Sequence, residues 1–463
     1  MTSSPTARFL ALGAIASLAV AGCSTASATG ASDGDASSAA AAAGTFFDAS
    51  TVHSIAIDVE QSELTTAIES YLDSGDKVWI TADVTIDGVT YSQVGLKLKG
   101  NSSLRSISTD SAAQDLPWRI RLDKFVDGQN ADGYTDLVLR ANSSETSINE
   151  AVALDLLAEA GLATERAVAT RVSVNGSEET LVLVLQNLDD TWFEENFSSG
   201  DILYKADAEG DYTWRGDDPT AYAEAFDVEV GDEDYTPLVT LLDLVNNGSD
   251  EDFATQLPEL LDVESFARYL AFEDLINNFD DIDGPGNNSY LAYDSDTGVM
   301  TVVAWDHNLA FGVANGGMGG EGGFGGGGMG GPGGAGADSG RPAMPERGEI
   351  PEGMTPSEGM TPPEGMEFPE GFEPPTDGQM PNGMGGAGMG GDNPLVERFL
   401  ENEDFEALYN QATTDLTAEL VDSGALANSV ATWTQVLQSG AADLVDEATI
   451  QKEADAVAAY AKE

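Results

Sequence analysis

"VVAWDHNLAFG", residues 302–312, drives an apolar run straight into a carboxylate. The strand-like stretch from Val299 to Trp305 stops at Asp306, and Phe311-Gly312 follows shortly after. An Asp at a strand end can be a turn-maker, because its short side chain bonds nearby backbone. It can equally be placed there to hold something charged, and the flanking sequence has to decide. Working backwards, "SYLAYDSDTGVMTVVAWD" (289–306) reads as a hairpin: Tyr290 to Tyr293, a turn carrying Asp296 and Gly298, then Val299 to Trp305. Antiparallel strands return the chain to its starting end, so Asn287-Asn288 is expected beside Asp306. Just upstream, "NNFDDIDGPGNN" (277–288) hangs Asp280, Asp281 and Asp283 on a loop at that same edge. The pattern before it, 262–278, predicts a helix with Phe266, Tyr269, Leu270 and Leu275 near one face.

The chain has 463 residues and a net charge of −62, from 81 acidic against 19 basic side chains. That balance argues against nucleic acid as a partner, because nucleic-acid binding needs a basic footprint. It also makes any local cluster of cations informative. Six of the 19 Lys and Arg fall between 97 and 124: Lys97, Lys99, Arg105, Arg119, Arg121 and Lys124. In "LKLKG" (96–100) the lysines alternate with Leu96 and Leu98, and in "WRIRL" (118–122) the arginines alternate with Trp118, Ile120 and Leu122. Alternation places each basic pair on one face of its strand and the apolar residues on the other. If the two strands pair, Lys97, Lys99, Arg119 and Arg121 line one patch beside the Gly100-Asn101-Ser102-Ser103 turn, suited to polyphosphate. Neutralisation of these cations by neighbouring carboxylates is the competing reading.

The apolar fraction of 41% supplies a real core. Arg8 precedes an apolar stretch from Phe9 to Val20 that is too short to span a bilayer, and Val20-Ala21-Gly22-Cys23 follows. This ending resembles a bacterial lipobox, which implies lipidation of Cys23, the chain's only Cys, and anchorage to the outer side of the cell membrane. An ordinary signal peptide with an incidental Cys is the alternative. We therefore expect a signal peptide over 1–23, a Ser/Ala/Gly/Asp tether over 24–45, a folded domain over 46–314 and a helical part over 393–463. Within the domain, Asp87-Gly88 predicts a turn between two alternating runs, and "NEAVALDLLAEAG" (149–161) predicts a helix capped by Ser147 or Asn149. Between the folded parts, 315–392 holds nine of the 11 Met and a six-residue repeat, "PEGMTP SEGMTP PEGMEF PEGFEP" (351–374). Pro in every unit and the absence of apolar periodicity predict a disordered insert.

A helix, an acidic loop, an Asn, a hairpin and an Asp before Phe-Gly is also the order of the catalytic segment of protein kinases. Over about residues 80–312 the chain resembles the CotH kinase family of spore-coat and secreted kinases. The resemblance rests on "LKLKGNSS", "WRIRLD", "INEAVALDLLAEAGLATERAVATRVSVNG", "GDILYKAD", "NNFDDIDGPGNNSYLAYD" and "AWDHNLAFG" in that order, with a continuation at "NPLVERFLENEDFEALY". It implies an α+β, atypical protein-kinase-like fold, with an antiparallel sheet lobe and a helical lobe interrupted by the insert. It also implies transfer of the ATP γ-phosphate, with Mg²⁺, to Ser or Thr of a protein substrate at the cell surface. Asp280 then resembles the catalytic Asp, with Asp281 and Asp283 as alternatives, and Asp306 resembles the metal ligand, with Asn288 as a second. Lys97, Lys99, Arg119 and Arg121 would face the nucleotide. The chain departs from the family at Asp115-Leu116-Pro117, where Lys is usual, and at Gln186, where Glu is usual. Those departures support a rival reading, a catalytically weak surface lipoprotein used for binding or adhesion. Copper(I) on the Met-rich insert is a third reading, which the absence of accompanying His or Cys disfavours. His53 and His307 carry no role in the scheme, and His307 is expected to pack or to support a neighbour.

Overall fold

The computed structural model describes residues 45–197, 202–207, 210–284, 287–313 and 393–460. The expected signal segment, Cys23, most of the tether and the expected insert over 315–392 lie outside the described residues. Alternating runs build seven strands of one sheet: β1 (His53–Asp58), β2 (Ile80–Ile86), β3 (Val89–Leu98), β4 (Trp118–Arg121), β5 (Asp136–Leu139), β6 (Ala167–Val174) and β7 (Thr180–Gln186). Asp87 and Gly88 both take positive φ, 48° and 84°, the geometry of a tight hairpin turn, and β2 and β3 pair across them. The sheet closes in the order β1-β2-β3-β4-β5-β7-β6. Every neighbouring pair is antiparallel except β1 and β6, which run parallel with His53 opposite Thr170. A second, antiparallel sheet has the order β11-β10-β8-β9, from β8 (Ile202–Ala206), β9 (Phe226–Val230), β10 (Ser289–Asp294) and β11 (Val299–Ala304).

This corrects the expected α+β, atypical protein-kinase-like architecture of one antiparallel sheet lobe and one helical lobe. The sheet is a closed seven-stranded barrel sealed by a parallel pair, and a separate four-stranded sheet accompanies the helices. Alternation gives each strand its two faces but not its neighbour. The closing pair joins strands far apart in sequence, so no local pattern announces it.

The α-helices among the described residues are α1 (Gln61–Ser74), α2 (Ile148–Glu159), α3 (Asp190–Asn196), α4 (Thr236–Asn247), α5 (Asp250–Gln256), α6 (Val263–Leu275), α7 (Pro394–Glu401), α8 (Glu403–Leu416), α9 (Ala425–Gly440) and α10 (Glu447–Ala459). Leu96, Trp118, Ile120 and Val184 fill the barrel interior. The other core joins Val138 and Leu185 of the barrel to α2, α6 and α7–α10, through Leu157, Phe266, Phe399 and Trp433. Of the two expected cap residues, Ser147 holds the N-cap position of α2 and Asn149 lies inside the helix. Ser147 is left-handed with φ 52° and makes no side-chain cap, while the Thr146 hydroxyl accepts from the Ile148 N–H at 3.2 Å. Asn149 turns its side chain the other way, donating to the Asn308 carbonyl at 2.8 Å.

The backbone just before α2 is held from the far end of the chain. The Glu453 carboxylate on α10 accepts from the Glu145 and Thr146 N–H groups, each at 3.0 Å, and from the Thr146 hydroxyl at 2.5 Å. Removing it would orphan buried donors, each costing about 1–3 kcal/mol. We expect Glu453→Ala to lower unfolding stability by about 3 kcal/mol in urea titrations, and Glu453→Gln by about half that.

Candidate active site

Strands β3 and β4 pair with Lys97 directly opposite Arg119. Leu96, Leu98, Trp118 and Ile120 belong to the barrel core, so these cations stand on the barrel's outer face. Lys97 lies 4.8 Å and Lys124 5.1 Å from the ring centroid of Trp79, with the Arg119 guanidinium at 5.7 Å. Gly95 makes this packing possible, since a Cβ there would sit 2.6 Å from Lys124 and 2.9 Å from Trp79. Lys99 donates to Asn187 at 3.3 Å and lies 5.0 Å from the ring centroid of Trp305, the residue before Asp306. Lys99 therefore faces the residues around Asp306 at the end of β11.

The carboxylates of Asp136 and Glu229 act on these cations without cancelling the burial and mutual repulsion of the lysines. Burial pushes the Lys99 ammonium down to about 7, and repulsion from Lys205 on β8 and from Arg119 adds to the effect. Burial and Arg119 lower Lys97, and burial, Lys205 and Lys97 lower Lys77. Arg119 is the neutralised member, with Nη2 2.7 Å and Nε 2.9 Å from the Asp136 carboxylate. Arg121 pairs with Asp123 at 3.0 Å and also feels the charges of Asp136 and Arg119.

Asp306 ends β11 in the left-handed region, with φ 70° and ψ 62°. The Arg140 guanidinium grips it at Oδ1 and also binds Glu150 of α2, with Nη2–Oε1 at 2.6 Å and Nε–Oε2 at 3.0 Å. Burial would raise the Asp306 carboxyl, but Arg140 overrides it and holds the group below the usual range. His307 is buried and bonded to Glu273 of α6 at 3.1 Å; burial alone would lower its pKa, and Glu273 instead lifts it to about 9. Glu165, just before β6, is 3% exposed and has no hydrogen-bond partner on either oxygen among the described residues. Burial pushes it up to about 7 even though His307 draws it down.

The hairpin pairs Ser289 with Ala304, so Asn288 and Asp306 leave β10 and β11 at one end. Asn288 pins the acidic loop: its Nδ2 donates to the Asp280 carbonyl at 2.9 Å, and its N–H to the Asp281 carbonyl at 3.1 Å. Gly284 is needed in that loop, because a Cβ would fall 2.6 Å from both the Asp280 Cα and the Phe279 carbonyl. Burial pushes Asp281 up to about 7, with repulsion from Glu273 contributing. Asp283 accepts from the Asn393 N–H at 3.0 Å and so anchors the start of the C-terminal helices.

The site as built includes residues the sequence reading passed over: Arg140, Glu150, Glu165, Asn187, Lys205 and Trp79. One signal was present. "LVLR" (137–140) ends an apolar run in a cation, just as "VVAWD" ends one in an anion, and the two charges meet. The two departures from the family pattern fall on the other side of the sheet. Leu116 packs in the barrel core, and Gln186 follows Val184 on the barrel side, opposite Leu137.

Lys99 supplies a test that needs no ligand. A lysine with a folded value near 7 and an ordinary value of 10.5 costs stability below pH 7, where the folded protein must bury its charge. That cost fades as pH rises from 7 towards 10.5, because the folded lysine is already neutral there. We expect Lys99→Met to melt above the wild type at pH 6, with the gap closing by pH 10.

The model of the CotH kinase protein family matches residues 96–462. Inner spore coat protein H of Bacillus subtilis (strain 168) is 24% identical over 187 residues, covering 39% of this chain and 51% of that protein. The chain thus spans about half the length of that curated relative. The family match runs from the lysines of β3 to the last helix, so it takes in Lys97, Arg140, the acidic loop, Asp306 and Glu453 alike. The chain belongs to the CotH kinase family.

Proposed function

We propose that the protein transfers the γ-phosphate of ATP, with Mg²⁺, to a Ser or Thr hydroxyl of a protein substrate, and that it does so outside the cytoplasm while anchored to the membrane through Cys23. The observation that carries this reading is the half-buried cationic cluster of Lys97, Lys99, Lys205 and Arg119 next to the ionised Asp306. Burial drives Lys99 to about 7 and repulsion from Lys205 and Arg119 adds to it; a polyanion beside the ammonium offsets both, so the residues fit a nucleotide's phosphates. No group of three or more His, Cys, Asp or Glu suited to a metal occurs among the described residues. Mg²⁺ needs only one or two carboxylates, with phosphate oxygens and water for the rest, so Asp306 with Asn288 fits it. Glu165, with two partnerless buried oxygens, adds acceptor capacity near Arg140 and His307. When bound, Mg²⁺ supplies charge neutralisation at the phosphates.

The chain's own residues do the remaining work. Lys97, Lys99 and Arg119 orient and neutralise the phosphates. Asp280 and Asp281 are the candidates for holding the proton of the acceptor hydroxyl; Asp281, at about 7, is matched to neutral pH. Asn288 fixes the loop that carries both. Among the described residues no helix is long and apolar enough to cross a membrane, so anchorage rests on the sequence around Cys23. A second reading, a binding lipoprotein with little turnover, draws support from the Arg140 ion pair, which already occupies Asp306.

The deciding experiment incubates the full chain with labelled ATP, Mg²⁺ and a surface-protein extract. We expect transfer that falls at least about 1,000-fold in Asp306→Ala; no nucleotide binding by either protein would sink the proposal. If Asp281 takes the proton, the rate should drop as pH falls through about 7 as that carboxylate protonates, and Asp281→Asn should flatten this limb.

A further inference from the structure

Arg140 belongs to none of the roles above, yet it is the most tightly held cation at the site. It leaves the end of β5, is 11% exposed, and spans two carboxylates on different elements: Glu150 of α2, 1% exposed, and Asp306 at the end of β11, 28% exposed. Three further contacts give this bridge a fixed frame. Asn149, next to Glu150, donates to the Asn308 carbonyl at 2.8 Å and the Ala310 carbonyl at 3.4 Å, tying α2 to the turn that follows Asp306. Asn308 in return donates to the Ser143 hydroxyl at 2.9 Å. Glu453 of α10 holds the backbone at Glu145 and Thr146, just ahead of Glu150. Asp306 meanwhile sits in a backbone region that L-residues seldom adopt, so its pose depends on what grips it.

We propose that Arg140 is a positioning residue that sets both the pose of Asp306 and its affinity for a divalent cation. The inference rests on the reading of Asp306 as a cation ligand. Glu150 holds one side of the guanidinium and Nη2 holds Asp306, so the carboxylate is aimed from α2 and not from its own strand. A cation that takes Oδ1 of Asp306 has to share it with Nη2, and one that takes Oδ2 still meets the guanidinium charge across the same carboxylate. The bridge therefore weakens cation binding while keeping the carboxylate in the orientation that turnover needs. A merely structural salt bridge would do neither: its loss would lower stability and leave cation affinity and turnover per folded molecule unchanged.

The test uses the full chain and Mn²⁺ as the probe, counting free Mn²⁺ by electron paramagnetic resonance without nucleotide. Arg140→Met should tighten Mn²⁺ binding about tenfold, as the competing charge is gone, and the gain should vanish when Asp306→Asn is added. Steady-state assays should show kcat down about tenfold or more in Arg140→Met, with KM for ATP nearly unchanged. Arg140→Lys keeps the charge but cannot fork to both carboxylates; it should bind Mn²⁺ like the wild type and lose about fivefold in kcat. If Arg140→Met fails to fold, Arg140→Lys decides, and a wild-type kcat in it would overturn the inference. Wild-type transfer with unchanged Mn²⁺ affinity and kcat in Arg140→Met would also overturn it, while the kinase reading survives. An Asp306-dependent gain in Mn²⁺ affinity without transfer by the wild type would uphold the role of Arg140 and remove the kinase reading.

Discussion

The carboxylate of Asp306 has to stay charged in a largely buried position, and the rest of the site follows from how that is done. Burial of a lone carboxylate raises its pKa and neutralises it. Arg140 prevents this, but a buried guanidinium with one partner is itself left half satisfied. Glu150 supplies the second partner and brings α2 into the arrangement. The position of α2 then depends on Glu453 of α10, and Tyr460 beyond it packs against Phe311 with ring centroids 5.4 Å apart. Gly312 completes the fit, because a Cβ at its φ of 68° would lie 2.5 Å from the Tyr460 hydroxyl. The last described residues of the chain are thus part of the support for a carboxylate just beyond β11.

The opposite wall works by repulsion. Lys97 and Lys99 of the barrel and Lys205 of β8 crowd together in a protein of net charge −62, and Asp136 neutralises only Arg119 fully. Lysines gathered and partly buried in this way cost stability, and sites that store such cost are where ligands bind. Aromatic faces soften it: Trp79 lies against Lys97, Arg119 and Lys124, and Trp305 against Lys99. The anionic and cationic halves meet at Trp305-Asp306, where the ring supports a lysine and the next residue holds an arginine.

Much of this was legible in the sequence because it depended on local pattern. Alternation in "LKLKG" and "WRIRL" gave the cationic face, and the turn at Asp296-Gly298 gave the hairpin that returns Asn288 to Asp306. What escaped was non-local. The parallel β1–β6 pair closes the barrel between strands that share no motif, so the expected antiparallel sheet lobe proved to be a closed barrel sealed by a parallel pair. Arg140 and Glu150 lie ten residues apart, but their partner Asp306 lies 166 residues from Arg140. Ser147 holds the N-cap position of α2 without a side-chain bond, and Asn149, a good capping residue by type, is instead recruited to the turn after Asp306.

The claim on which the account turns is that phosphates bind against Lys99. The most direct measurement is the number of protons taken up when ATP binds to the full chain at pH 8, read by calorimetry in buffers of different ionisation enthalpy. At that pH a lysine near 7 is mostly neutral, and phosphates placed beside it recharge it. The account predicts uptake approaching one proton in the wild type and none in Lys99→Met. Binding with no proton uptake in the wild type, or equal uptake in both proteins, would contradict it.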